Sequence, residues 1–291
     1  DGPGDLRFDQ DPVHALHRRV RTVLDQYPDR MAVGEVWVFD DERLAQYLRP
    51  DELHLAFNFR LLTAEWDAEE LRSAVDHSLT TVAATPAPAC WVLSNHDRPR
   101  HVTRYGGGAI GTRRARAAAL LQLALPGVAY VYNGDELGMP DVDLPDEVLQ
   151  DPIWERSGHA ERGRDGCRVP VPWSGDEPSY GFSTTPDTWL PMPAGWGPLT
   201  AEAQTGDVDS MLSLYRVALG LRRNSPAFAG SELQWLPAPA GCLAFRRPGG
   251  LVCLLNVSGA SVPLPEGRVL LVSEPISDGQ LPADSAVWLH S

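Results

Sequence analysis

The chain contains no lysine, and its 25 permanent cations are all arginines. Against them stand 39 Asp and Glu residues, giving a net charge of −14. A phosphate-backbone partner needs a basic patch, so this balance excludes a nucleic-acid binder and fits an uncharged substrate. Missing lysine alongside abundant Ala, Arg and Pro reflects a GC-rich coding bias and carries no mechanism. No apolar run approaches the roughly 20 residues of a membrane span. Asp1-Gly2-Pro3-Gly4-Asp5 has neither a basic end nor an apolar stretch, so no secretory leader is expected. The four cysteines, Cys90, Cys167, Cys242 and Cys253, lack metal-ligand spacing, and most sit in apolar surroundings as small core residues. No metal or cofactor is expected, and unpaired thiols point to a reducing cytoplasm.

The chain has 291 residues with 43% hydrophobic and 22% charged content, enough for one large and one small globular domain. Asp11-Pro12 opens a helix with Val13, Leu16, Val20, Val23 and Leu24 on one face. A strand over 31–38, a short helix over 40–48 and a strand over 53–59 follow. The pattern continues with a helix over 67–79, a strand over 90–95, a helix over 112–125 and a strand over 128–132. Helix then strand, four times over, predicts a parallel sheet with crossover helices. A long Pro- and Trp-rich excursion, 138–205, lacks periodicity, although Trp173, Trp189 and Trp196 argue against disorder. A helix over 208–222 closes this part. From about residue 225, short apolar runs alternating with Gly and Pro predict an antiparallel β module with a structural role.

The predicted strands carry their charge at their C-terminal exits, where α/β proteins place catalytic groups. Met31–Trp37 delivers Glu35, Trp91–Asp97 delivers His96 and Asp97, and Gly127–Glu136 delivers Glu136. Carboxylates gathered in a cleft are the apparatus of glycoside hydrolysis: one protonates the leaving oxygen, others stabilise an oxocarbenium-like transition state or form a covalent intermediate. Trp37 offers an apolar wall and a platform for a sugar ring, and His96 could donate to a sugar hydroxyl. Composition alone supports a polar-substrate enzyme and no more.

Four motifs add to this in order: Gly34-Glu35-Val36-Trp37, Ser94-Asn95-His96-Asp97, Pro126-Gly127 with Tyr132–Gly138, and Arg164-Asp165-Gly166-Cys167-Arg168-Val169-Pro170-Val171-Pro172-Trp173. Together with His54–Phe59 they resemble the α-glucosidase and oligo-1,6-glucosidase branch of glycoside hydrolase family 13, the α-amylase superfamily, from about Phe8 onward. The resemblance implies a (β/α)8 barrel, a C-terminal β-sandwich, and retaining chemistry on α-linked gluco-oligosaccharides. It implies Glu35 as general acid/base, Asp97 as the residue gripping sugar hydroxyls in the transition state, and His96 and Arg164 as substrate-binding. Glu136 takes a supporting role, and Arg100 and Arg104 read as ordinary solvated arginines.

One departure is large. The family's nucleophile is an aspartate ending barrel strand four in a Gly-Phe-Arg-Ile-Asp-type motif, which is absent here. Asp1, Asp5 and Asp9 precede a helix and do not replace it. The expected architecture is therefore α/β: strands five to eight of the barrel over residues 1–224, then a β-sandwich over 225–291. Such a chain is expected to be inactive alone and to associate with a complementary barrel half or with itself. Two alternatives stay open at this point: a trehalose synthase or other glucosyl-transferring relative, and a non-catalytic carbohydrate-binding remnant. Linkage and chain-length preference are not encoded in these residues.

Overall fold

The structure, a computed structural model, describes residues 6–291; Asp1 and Asp5 lie outside them. The elements begin with α1 (Val13–Leu24), β1 (Val33–Glu35), α2 (Asp41–Gln46), β2 (Leu55–Phe57), α3 (Arg60–Thr63) and α4 (Ala68–Val82). Next come β3 (Cys90–Val92), α5 (His101–Arg104), α6 (Gly108–Ala124) and β4 (Val128–Tyr130). Two compact units emerge. Of the described residues, one comprises 6–64, 69–92 and 126–130; the other comprises 65–68, 93–125 and 131–291.

In the first unit β1 pairs parallel with β2, and β3 pairs parallel with β4. Each strand is three residues long, shorter than the apolar runs predicted, and the ends of those runs continue as loops. The Cys90 thiol meets the Ala56 backbone, and burial pushes it up to about 11. Phe57 and Tyr130 meet edge-on at 4.6 Å, and Phe59, Leu62 and Val92 pack with Trp37 into one cluster. A Cβ at Gly34, just before Glu35, would come within 2.4 Å of the Leu53 side chain, so any larger residue there has to displace the end of Leu53.

Helix α1 forms where its periodicity predicted, but faces the other way. Leu16, Val20 and Val23 are 57%, 50% and 54% exposed. The inward residue is His14, and Arg18 also reaches Glu52, whose side chain is fully buried and accepts from His14 Nδ1 at 2.7 Å and Arg18 at 3.0 Å. A buried carboxylate must be matched by cations, and this chain's nearest cations lie on the polar side of α1. Asp9 likewise serves structure: it binds Arg43 at 2.9 Å and Tyr47 at 2.7 Å, tying the α1 entry to α2. It ends no strand, as the sequence led us to expect.

In the second unit α6 is buried on nearly every side, with Leu120, Leu121 and Leu123 wholly inaccessible. Each such leucine contributes about 1.5–3 kcal/mol of hydrophobic stabilisation. The excursion is ordered by short turns, by α7 (Pro152–Arg156) and α8 (Ala201–Thr205), and by a core of its own that includes Leu144, Val171, Tyr180, Leu190 and Trp196. Helix α9 (Met211–Asn224) follows, with the Ser210 side chain capping it.

The β module runs β5 (Gln234–Leu236), β6 (Cys242–Arg246), β7 (Leu251–Asn256), β8 (Val262–Pro263), β9 (Arg268–Val272), β10 (Gln280–Leu281) and β11 (Ser285–His290). The five-stranded antiparallel sheet has the order β5-β6-β7-β11-β9, and β8 pairs with β10. Val252, Leu254, Val287 and Leu289 form a core with Val262 and Leu281 of that small pair. Alternate residues serve the other face, where the Trp288 indole donates to Leu120 O at 3.0 Å and Arg247 to Ala124 O at 3.3 Å. Through these bonds α6 and the sheet belong to one compact unit. No helix of the described residues is long and apolar enough to cross a membrane.

Candidate active site

Glu35 is the last residue of β1 and is exposed. Its Oε1 accepts from the Trp37 indole at 3.0 Å, and Trp37 stacks on Phe59 with centroids 4.0 Å apart. The aromatic wall predicted beside this carboxylate is therefore present and braced from behind. Glu35 belongs to the first compact unit, the remaining candidates to the second.

Past the end of β3, the chain turns through Ser94–Asp97, and Asn95 Oδ1 accepts from Asp97 N at 2.9 Å. Asp97 therefore sits on a turn beyond the strand rather than at its last residue. Its Oδ1 accepts from Arg164 Nη1 at 2.6 Å and from Arg168 Nη2 at 3.1 Å, and lies 3.5 Å from His96 Nε2. All three approach the same oxygen. Among the described residues Oδ2 has no protein partner, which leaves it for a ligand. Arg168 Nε also donates to His96 O at 2.8 Å, fixing the backbone before Asp97. The structure thus brings His96, Asp97 and Arg164 together.

The arginines are aimed from behind by Asp151, a residue the sequence reading missed. Arg164 donates to it from Nε at 2.6 Å and from the backbone at 3.0 Å, and Arg168 Nη1 lies 3.5 Å away. Asp151 is buried, and the Arg164 guanidinium holds its carboxyl far below the usual carboxylate range. Arg164 in turn is pushed upward, first by Asp151 and also by Asp97. Gly163 is required here: φ is +75°, and a Cβ would come within 2.6 Å of Asp151 Cβ. Asp165 holds this loop by accepting from Asp151 N at 2.8 Å. The recoverable signal was the Asp-Pro pair at 151–152, a helix N-cap whose spare oxygen is free to bind elsewhere. A cleft of about 210 Å³ lies against Asp97, Arg98, Leu149, Arg164 and Cys167.

Glu136 does not end a strand. It lies in a short turn beyond β4, where its Oε2 accepts from Gly134 N at 2.9 Å. The buried carboxylate of that motif is Asp135, 3.5 Å from Arg100 Nη1 and 3.6 Å from His101 Nδ1. Arg100 is buried too, donating to Asn133 O at 3.0 Å and lying over the Tyr132 ring. It is not the solvated arginine expected from sequence, because Asp135 and Asn133 draw it under the Asp97 turn. Arg104 similarly donates to Leu93 O at 3.0 Å. Among the described residues no group of three or more His, Cys, Asp or Glu side chains is arranged to hold a metal.

A carboxylate fixed by two arginines, with one oxygen open and a histidine at its rim, is suited to hold neutral hydroxyls. The family profile described as "Alpha amylase, catalytic domain" matches residues 4–230. The chain belongs to the α-amylase family. It is 35% identical over 269 residues to a probable alpha-glucosidase of Rhizobium meliloti (strain 1021), covering 87% of this chain and 47% of that one. It is 29% identical over 250 residues to an alpha-glucosidase of Apis mellifera, with 83% and 43% covered. Among solved structures, the alpha-glucosyl transfer enzyme XgtA superposes with a TM-score of 0.80 at 30% identity, over 96% of this chain and 54% of that one. The chain thus spans about half the length of the curated relatives it matches. Its fold matches part of the fold of such α-amylase-family barrel enzymes, and the antiparallel sheet of the C-terminal module is present.

Proposed function

We propose that this chain supplies the acid/base and sugar-gripping half of a retaining α-glucosidase acting on α-linked gluco-oligosaccharides. The observation that carries the reading is Asp97, clamped on Oδ1 by Arg164 and Arg168 while Oδ2 stays open. A pre-fixed anion costs no reorganisation when the sugar approaches its oxocarbenium-like transition state. Glu35, free of any cation clamp, protonates the leaving oxygen and then activates water. His96 and Arg164 bind the same glucose unit.

In this reading residues 1–224 form strands five to eight of the barrel, and 225–291 form the C-terminal β domain. Retaining chemistry needs a nucleophilic carboxylate about 5 Å from the acid. Asp9, engaged with Arg43 and Tyr47, does not supply it. The complementary barrel half supplies it, and that half covers the outward stripe of Leu16, Val20 and Val23. Without that partner, self-association covers the stripe. Four buried, unpaired cysteines support a reducing, cytoplasmic setting.

The test is to assay residues 1–291 on p-nitrophenyl α-glucoside, alone and after adding the first barrel half of the same parent. The reading predicts no turnover alone and turnover on recombination. Turnover by the monomeric chain, abolished by Glu35→Gln, would mean that one of its own carboxylates is the nucleophile. A second reading, transfer of glucosyl units, is favoured by the 30% identity to XgtA. Product analysis of the recombined enzyme separates transfer from hydrolysis, and absence of both leaves a carbohydrate-binding remnant.

A further inference from the structure

The long excursion contains a second cavity, of about 510 Å³, which shares no lining residue with the cleft beside Asp97. That volume lies within the roughly 300–1,000 Å³ usual for small-molecule sites. Its walls combine the exposed Trp189 and the half-buried Met192 with Glu147, Asp176 and Asp187. Among the described residues, none of these three carboxylates has a side-chain hydrogen bond or ion pair. No arginine lines the cavity, so it rejects anionic ligands and presents acceptors together with an indole face.

The frame around it is rigid. Leu190, next to Trp189, is wholly buried, which pins the backbone while the indole remains 62% exposed. The Tyr180 hydroxyl donates to Pro193 O at 2.9 Å and accepts from Trp196 N at 3.1 Å. Ser179 and Tyr180, both lining residues, hold φ values of +69° and +42°. Two consecutive side-chain-bearing residues in the left-handed region are costly, and such strain gathers at binding sites. The wall facing the candidate active site is one segment thick: Val148 and Gln150 line the cavity, and Leu149 between them lines the Asp97 cleft.

We propose that this cavity is a second sugar-binding site, taking one or two units of a neutral oligosaccharide outside the site that holds Asp97. Trp189 stacks on the apolar face of a pyranose ring, and the unpaired carboxylates accept from its hydroxyls. The choice of an α-linked glucan rests on the function proposed above.

The experiment is titration of the full chain with maltotriose, cellotriose and spermidine, followed by calorimetry and by tryptophan fluorescence. Maltotriose is expected to bind saturably, with affinity at least tenfold weaker in Trp189→Ala and also weakened in Asp187→Asn. This binding should persist in Asp97→Asn. The isosteric Asp187→Asn keeps the test informative should Trp189→Ala fold poorly. Absence of saturable sugar binding, or loss in Asp97→Asn with retention in both cavity variants, overturns the proposal. Spermidine binding in place of sugar, lost in the same variants, overturns it too by making this a cation site. Cellotriose binding as well as maltotriose, with the same dependence on Trp189, sustains the sugar site and counts against the α-glucoside reading.

Discussion

The surroundings of Asp97 and of Glu35 are finished to different degrees. Asp97 lies in a network this chain closes by itself: Arg164 and Arg168 hold it, Asp151 holds both arginines, and Asp165 holds the Asp151 backbone. Glu35 has one neighbour of its own making, the Trp37 indole, and stands exposed. Its compact unit also leaves apolar residues in solvent, among them Leu16, Val20, Val23, Met31 and Val33. The contrast fits the two roles proposed for these carboxylates. A group that stabilises charge works best immobilised, whereas one that gives and takes a proton must not be locked as an anion by arginines.

The largest expected effect bears on the closed network. In the recombined enzyme, Asp97→Asn and Arg164→Ala should each lower kcat/KM about 10²–10³-fold, the scale of removing one preorganised polar group. Both kcat and binding should fall, because the contacts strengthen in the transition state. Near-normal turnover of maltose by either variant would remove that residue from the glucose subsite.

Asp151→Asn should cost less, about tenfold, because it touches the arginines and not the sugar. Its pH signature is a second readout. The depressed carboxyl stabilises the fold above the unfolded value near 3.8, and that stability is lost as pH falls toward the folded value. Urea midpoints of the wild type should therefore drop below about pH 4, and less steeply in Asp151→Asn. Equal slopes would mean that the Arg164 contact is not formed in solution.

A third prediction concerns the buried group under the Asp97 turn. Burial, opposed by Arg100, pushes Asp135 up to about 7. Burial, then Arg104 and Arg100, push His101 down to about 3. Between about pH 4 and 6.5 folded Asp135 keeps a proton the unfolded chain has shed, so this group favours folding as pH falls. His101 stays neutral where the unfolded chain takes a proton, so it disfavours folding as pH falls. Their slopes oppose. Asp135→Asn should lose stability on acidification through this window, and His101→Gln should gain it. Slopes of the same sign in the two variants would contradict the assignment.

How much of this was legible in the sequence depended on whether the determining contacts were local. The helices at 13–24, 108–124 and 211–224 follow from composition and apolar patterning, and the motifs picked out His96, Asp97 and Arg164, which the folded chain brings together. The burial of α1 was not legible, since an apolar stripe reports what a helix could bury and not which surface lies beside it. Arg100, Asp151 and Arg168 were passed over because their partners lie 35, 13 and 71 residues away in Asp135, Arg164 and Asp97. Periodicity cannot report pairings at such separations, and only the folded turns bring them into register.

The smallest effect tests the open region. Leu16→Glu with Val20→Glu should change the stability of the isolated chain by no more than about 0.5 kcal/mol per site, as for exposed positions. Leu120→Ala within α6 should cost about 2–5 kcal/mol. The α1 variants should nevertheless reduce self-association in sedimentation and weaken recombination with the other barrel half. Destabilisation of the isolated chain on the scale of Leu120→Ala would show that the stripe is covered from within.

The central claim is that Glu35 moves the proton while Asp97 remains a fixed anion. The most direct measurement compares Glu35→Gln with the parent in the recombined enzyme on maltose and on p-nitrophenyl α-glucoside. Loss of the acid should slow maltose cleavage about 10²–10⁴-fold. The aryl glucoside, whose leaving group departs without protonation, should form its glycosyl intermediate at close to the parental rate. Equal losses of kcat/KM, which reports formation of the glycosyl intermediate and not its hydrolysis, on both substrates would contradict the account and take Glu35 out of the acid role.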